Sequence, residues 1–386
     1  MLTRIARSVR TLLVGCVLLI GHVLRAPEAA AHSAGNAPSS NYIAQVISIV
    51  REDGVPLQAG KPSFDLRSIE AGSRLELRWR GGPELSVPDY DGNPYLRVGP
   101  DGVFQNEQSA AVYLNKDRNG ATDVPETLDP TGPPKWKRLS LDSVVRWHDH
   151  RGHRMGGDPP QVRKAPGKPH LVQREVVVIL QGSSPDGIVT GDTVQYDATV
   201  EVRWKPGSSK LPWLVAAAVL ALGLSLASSF DGRTLAGRRR LRPLIIPTVV
   251  MLLVADVVHL VGIAFGIRST FTEGLARTAS IGFASFVAWI ATLVGLWMYL
   301  RKRTDGLYLV TFGAGLIAMV GGLADLSTLS ASSIPFAFAP VVARVVITLT
   351  IGLGIGIVFA GVLLTRPTPE ELRSDDTSAE QVVVRT

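Results

Sequence analysis

Three histidines and a methionine lie close together in the segment RWHDHRGHRMGG, Arg146 to Gly157, although the chain of 386 residues has only seven histidines. In an extended strand, residues i and i+2 point to the same face, so His148 and His150 could bind one metal ion together. Imidazole suits Cu(II) and Zn(II), and a nearby thioether such as that of Met155 favours copper. The same segment is also typical of a solvated surface loop whose histidines bind nothing.

The start of the chain has the composition of a secretion signal. Residues 1–10 contain three arginines, residues 11–24 are apolar, and the sequence APEAAAH follows. A charged segment, a short apolar segment and an A-x-A site predict a signal peptide, residues 1–31, that is cleaved after Ala31. Two alternatives stay open: an uncleaved membrane anchor, and lipidation of Cys16 in the lipoprotein-like sequence LVGC.

Cleavage at this position makes His32 the first residue of the mature chain, with a free amine beside its imidazole. His32, His148 and His150 would then offer three nitrogens in a plane, which is the tetragonal geometry that Cu(II) prefers. Zinc is the alternative metal. Further candidate ligands are Asp149, His153 and Met155.

An N-terminal histidine after a cleavage site, combined with a downstream Trp-His-x-His (Trp147 to His150), resembles the exported copper-binding domain of the B subunit of particulate methane and ammonia monooxygenases. The resemblance implies a cupredoxin-like β-sandwich and a histidine brace in which His32, His148 and His150 bind copper. That subunit has a second sandwich after its membrane helices, whereas a short polar tail follows them here. The layout is also similar to that of fused CopC–CopD copper-handling proteins.

Residues 32–207 are predicted to form an exported all-β domain. Strand composition is found in residues 41–50, 73–80, 174–182 and 192–204. These segments are rich in β-branched and aromatic residues, and turn sequences such as DYDGNPY and GPDG separate them. We therefore expect an antiparallel β-sandwich. The single cysteine precedes this domain, so it can form no internal disulfide, and a metal must bind histidine, methionine or carboxylate ligands.

Residues 211–364 are predicted to form an all-α membrane domain of five transmembrane helices. The apolar segments are residues 211–230, 244–266, 279–300, 307–326 and 339–364. The net charge is +7, but the basic residues cluster between these segments, as in cytoplasmic loops, which argues against nucleic-acid binding. We expect a multi-pass plasma-membrane protein with an extracytoplasmic β domain and a cytoplasmic polar tail, residues 365–386.

Four Asp, His or Arg residues lie within these apolar segments. Asp256 and His259 are three residues apart, which places them on one face of the second helix. Asp325 and Arg344 are expected at a similar depth in the fourth and fifth helices. Ionisable side chains are costly in a bilayer and mark either a structural polar cluster, here with an Asp325–Arg344 ion pair, or a pathway for ions or protons. Both interpretations stay open.

Taken together, these features favour a membrane-anchored copper-binding protein for copper acquisition, storage or delivery, working with other copper-handling membrane or exported proteins. This is a binding role rather than an enzymatic one. A subunit of a copper-dependent membrane oxidase or monooxygenase is the second hypothesis, since the same ion can serve oxygen chemistry. A metal-free adhesion or sensor module is the third, and it would tolerate the loss of every histidine.

Overall fold

The computed structural model describes residues 39–55, 63–116, 122–183, 191–232, 234–266, 271–303, 305–366 and 368. The chain divides into two compact units. The β unit comprises Ser39–Gly207 and Ala331–Ile334, and the helical unit contains the described residues of Ser208–Ser330 and of the chain from Pro335 onward. The predicted signal peptide and His32 lie outside the described residues, as does most of the predicted tail.

The described residues of the β unit contain ten strands and two short helices. They are β1 (Tyr42–Arg51), β2 (Phe64–Ile69), β3 (Arg74–Trp79), β4 (Leu85–Pro88), β5 (Pro94–Gly99), β6 (Gly102–Asn106), α1 (Ala111–Leu114), β7 (Trp136–Ser140), β8 (Val144–His148), α2 (Pro160–Lys164), β9 (His170–Gln181) and β10 (Val194–Trp204). Seven strands form one sheet in the order β1-β10-β9-β4-β5-β6-β7, and three form a second in the order β2-β3-β8. Neighbouring strands pair antiparallel, which confirms the predicted all-β, antiparallel character.

Both sheets contribute side chains to one hydrophobic core. Alternate residues of the smaller sheet enter it, among them Leu75 and Leu77 of β3 and Val145 and Trp147 of β8. The larger sheet supplies Leu85, Val87, Leu96, Val98, Val177, Ile179, Ala198 and Val200. Since successive strand residues point to opposite faces, His148 lies on the face of β8 that is turned away from this core.

A carboxylate fixes the register of the strand that carries His148. Glu76 in β3 lies opposite Arg67 of β2 and opposite Arg146 of β8. Its oxygens lie 2.6 Å from Nη2 of Arg67 and 2.7 Å from Nε of Arg146, and only 2 % of Glu76 is exposed. Cross-strand pairs of opposite charge stabilise one register. This register places His148 opposite Arg74, the first residue of β3.

The helical unit contains five long apolar helical segments, as predicted from the sequence. The described residues contain α3 (Leu211–Asp231), α4 (Leu235–Ala264), α5 (Phe271–Ile281), α6 (Phe283–Leu300), α7 (Gly306–Ile317) and α8 (Pro340–Leu364). Five segments are long and apolar enough to cross a bilayer: Leu211–Asp231, Pro243–Ala264, Phe283–Leu300, Gly306–Leu329 and Pro340–Leu364. This is the architecture of a multi-pass membrane protein.

The fourth of these spans is not a regular α-helix. After α7 the chain forms a π-helical turn, Ala318–Gly322, and then a 3₁₀ segment, Leu323–Leu329, in which Asp325 has non-helical backbone angles. Two adjacent glycines, Gly321 and Gly322, lie at the junction, and glycine is a poor helix former. Irregular backbone within a membrane span is tolerated where protein surrounds it, and Gly321 and Gly322 are both buried.

Candidate metal centre

The backbone changes direction within the histidine motif. Strand β8 ends at His148, Asp149 is still extended, and His150 begins a 3₁₀ turn that ends at Gly152. The Asp149 carboxylate accepts a hydrogen bond of 3.0 Å from the Arg151 amide, which stabilises this turn. The two histidines therefore do not lie on a single strand: His148 is the last residue of β8, and His150 belongs to the turn that Asp149 caps.

The turn brings a third histidine to the other two. The ring centroid of His153 lies 4.3 Å from that of His148 and 5.3 Å from that of His150. The centroids of His148 and His150 are 5.2 Å apart. Each of the three histidines has one ring nitrogen that lies within 4.8 Å of a ring nitrogen of the other two. Nitrogens that share an ion at about 2 Å lie roughly 3 to 4 Å apart, so small side-chain movements would complete a three-imidazole site.

Hydrogen bonds to backbone carbonyls orient two of these rings. Nδ1 of His148 lies 2.7 Å from the carbonyl oxygen of Ser73, and Nδ1 of His153 lies 3.2 Å from that of Asp149. A carbonyl only accepts, so Nδ1 is the protonated nitrogen in both rings, and in the neutral ring Nε2 carries the lone pair. Metal-bound histidines are usually held in this way, with one ring nitrogen donating to a carbonyl and the other bound to the ion.

Asp149, a candidate ligand from the sequence, has a different position. Its side chain is 1 % exposed, and Oδ2 accepts hydrogen bonds from Trp147 Nε1 at 2.8 Å and Arg151 Nη2 at 2.9 Å. Burial by itself raises the pKa of Asp149, but the hydrogen bonds and positive charge of Arg151 and the bond from Trp147 outweigh it and hold the pKa below its ordinary value. Asp149 therefore stabilises the turn as a carboxylate that Arg151 neutralises.

Tyr90 is a neighbour of the site that the sequence did not single out. Its hydroxyl accepts a hydrogen bond of 3.1 Å from the His150 amide, and its ring stacks on that of His150 at 6.1 Å between centroids. The guanidinium of Arg151 lies 4.9 Å from the Tyr90 ring centroid. Burial, followed by the charge of Asp149, raises the pKa of Tyr90 well above its ordinary value, so its hydroxyl stays protonated. Sixty residues separate Tyr90 from His150, and no local pattern links them.

The remaining predicted ligands are Met155, His32 and His153. Met155 follows His153 by two residues, and 38 % of it is exposed. His32 lies outside the described residues, so its participation stays a prediction. His153, by contrast, is 4 % exposed and faces the other two rings, which makes it a stronger candidate than its position after a glycine suggested.

The structure also brings together residues of the predicted membrane cluster. His259 Nε2 lies 2.9 Å from Asp325 Oδ2, and Asp256 is buried one helical turn before His259. Arg344 is partly buried near the start of α8. The predicted ion pair between Arg344 and Asp325 stays a prediction.

No protein-family model matches the chain, and neither a curated protein nor a solved structure is significantly similar to it.

Proposed function

We propose that this protein binds copper at His148, His150 and His153, with His32 as an additional ligand, and that it serves copper acquisition, storage or delivery at a membrane. The observation that carries the proposal is the convergence of three imidazoles, two of them held by backbone carbonyls. A solvated loop has no need of such support, whereas a metal ligand does. A cupredoxin-like arrangement of the two sheets belongs to the same proposal.

Copper is preferred to zinc because the site has nitrogen donors with Met155 nearby. Imidazole serves both metals, but a thioether and a tetragonal set completed by an N-terminal amine both favour copper. The nearest carboxylate, Asp149, is engaged by Arg151 and Trp147 and does not add the harder oxygen ligand that many zinc sites contain. A binding role needs no substrate cleft beside the ion, so the proposal does not require catalysis.

The helical unit supports a role at the membrane. The five apolar helices would anchor the β unit to the bilayer, with the β unit on the extracytoplasmic side of the plasma membrane and the C-terminal tail in the cytoplasm. Basic residues between the apolar segments support this orientation, since they accumulate in cytoplasmic loops. Copper would then be bound outside the cell or in an exported compartment and passed to other membrane or exported proteins.

A copper titration of the full chain in detergent tests the proposal. The full chain is needed because Ala331–Ile334 belongs to the β unit, where Ser333 pairs with Ser40. We expect one Cu(II) ion per chain, with nitrogen ligands in its electron paramagnetic resonance spectrum. Replacing His148, His150 or His153 by Ala should each lower the affinity by about a hundredfold or more, because a direct ligand is lost.

His170→Ala is the matched control. His170 lies in the same β unit, but its ring nitrogen bonds the Ala165 carbonyl oxygen at 2.8 Å, and it is not in the cluster. Its replacement should leave copper affinity unchanged. Unchanged affinity in all three cluster variants would refute the site. Tighter binding of Zn(II) than of Cu(II) would support the histidine site but identify zinc as its metal.

A further inference from the structure

A second group of ionisable side chains lies inside the helical unit, and the copper proposal does not use it. Asp256 and His259, both on α4, are 0 % and 3 % exposed. Asp325, in the fourth span, has 22 % of its side chain exposed. Buried ionisable groups in a membrane are costly and are kept for structure or for function.

Hydrogen bonds organise this group. His259 Nε2 and Asp325 Oδ2 are 2.9 Å apart, and Trp289 Nε1 of α6 donates a hydrogen bond of 2.7 Å to Asp256 Oδ2. The other oxygen of Asp256 packs against Gly321 so closely that a Cβ there would overlap it, and that Cβ would also lie 3.6 Å from His259 Nδ1. One nitrogen of the ring thus faces Asp325, and the other faces the Asp256 side.

Asp325 and His259 lie closer to one end of the bundle than Asp256 does. Consecutive spans cross in alternate directions, so the second span, ending at Ala264, and the fourth, ending at Leu329, end on the same side. At about 1.5 Å per residue, Asp325 and His259 lie roughly 6 to 8 Å from these ends, and Asp256 lies about 12 Å from its end. Asp325 is also the most exposed of the three side chains, since His259 and Asp256 are almost fully buried.

We propose that Asp256, His259 and Asp325 form a proton-binding site that exchanges protons with water through Asp325. A proton from water enters at the Asp325 carboxylate, and the ring of His259 ends with a hydrogen on each nitrogen: Nε2–H faces Asp325, and the added proton is held at Nδ1 on the Asp256 side. The resulting imidazolium is stabilised by the carboxylates on its two sides. No other bond changes, and no co-reactant is needed. This site is independent of copper binding in the β unit.

Two arginines on helices that pack against α4 oppose the protonation of His259. Arg344 on α8 and Arg277 on α5 are the described arginines nearest in sequence to the same ends of the bundle. A nearby cation favours ionised carboxylates and disfavours an imidazolium. The exchange therefore requires that the two carboxylates together outweigh these cations at His259.

The test is labelling with dicyclohexylcarbodiimide, an apolar reagent that modifies protonated carboxyl groups inside membranes. The full chain is reconstituted in lipid vesicles, labelled over a range of pH and mapped by peptide mass spectrometry. We expect labelling of Asp325 to rise as the pH falls. In His259→Gln the carboxylate loses its cationic partner, so the same labelling should occur at a pH higher by about one unit or more.

Asp305→Asn is the control, since Asp305 is an exposed carboxylate at the other end of the fourth span. It should leave the Asp325 profile unchanged. An unlabelled Asp325, or a profile that His259→Gln does not move, would overturn the proposal in favour of a fixed structural pair. If added Zn²⁺ protects Asp325 from labelling in the wild type but not in His259→Gln, the site binds a divalent cation and the proposal of a proton site is overturned. If no His259 variant accumulates, wild-type labelling of Asp325 that does not change with pH is sufficient to overturn the proposal.

Discussion

At the scale of single residues, the position of the histidines depends on Asp149. Its carboxylate receives four hydrogen bonds, from the Arg151 amide, Arg151 Nε and Nη2, and Trp147 Nε1, and its own carbonyl oxygen lies 3.2 Å from His153 Nδ1. One residue thus connects the core, the 3₁₀ turn and the third histidine. Asp149 is not a metal ligand in this arrangement, but the ligands depend on it.

Asp149→Asn should therefore destabilise the site without removing a ligand. The partly buried Arg151 loses its counter-charge, which costs about 3 kcal/mol in the free energy of unfolding. Copper affinity should fall about tenfold, because the turn that carries His150 and His153 loosens. Urea unfolding of the full chain, followed by amide hydrogen exchange in β8, measures the first effect, and copper titration the second. Asp142→Asn, in an exposed turn, should change neither quantity.

The same residue gives the β unit a pH dependence with a definite sign. Because the folded-state pKa of Asp149 is lowered, its contribution to stability is fully present above the unfolded value of about 3.9 and is lost as the pH falls through the folded value. Wild-type β8 should thus lose exchange protection in strong acid more steeply than Asp149→Asn. Parallel losses in the two proteins would contradict this assignment.

At the scale of elements, some features were predictable because one physical rule decides them. The length of a membrane span follows from bilayer thickness, and the predicted bounds of the five apolar segments accordingly agree with those in the structure to within a few residues. Strands were predicted at residues 41–50, 73–80, 174–182 and 192–204 from their β-branched and aromatic residues, and β1, β3, β9 and β10 occupy these segments. The turn after His148 was not predicted, since it depends on Asp149 meeting Arg151 and Trp147. Tyr90 approaches His150, and Ser73 approaches His148, because of how the strands pair, and a single sequence has no local signal for that pairing.

The irregular fourth span is also an element that hydropathy could not predict. Gly321 has no Cβ, and the space beside it is taken by the Asp256 carboxylate. Gly321→Ala should force the carboxylate or the π-helical turn to move and should lower the stability of the helical unit by about 2 kcal/mol. Gly315→Ala, in the same span, should be nearly neutral, because its Cβ would meet only Val358 at 3.3 Å.

Thermal unfolding of the purified full chain in detergent measures this effect. Adding Asp256→Ala to Gly321→Ala should recover part of the loss, since the overlapping carboxylate is removed. No recovery would show that the strain lies in the backbone of the π-helical turn rather than in the contact with Asp256.

At the scale of the whole molecule, the two units have separate chemistry. The β unit collects neutral nitrogen donors that are suited to a soft or borderline metal ion. The helical unit collects carboxylates and one imidazole, which are suited to protons. Loss of one site should therefore leave the other intact. Replacing His148 should not move the labelling profile of Asp325, and replacing His259 should not change the affinity for Cu(II).

Processing of the chain decides how many nitrogens the proposed copper site can offer. We expect intact-mass analysis of the membrane-purified protein to show a chain that starts at His32, since the A-x-A site precedes it. Its free amine and ring can then join the imidazoles of the cluster. A chain made with one additional residue before His32 keeps the ring but loses the terminal amine at that position. Its Cu(II) affinity should fall at least tenfold, and its electron paramagnetic resonance spectrum should show a changed nitrogen set. Equal affinity and identical spectra in the two forms would mean that His148, His150 and His153 bind the ion without the N-terminus.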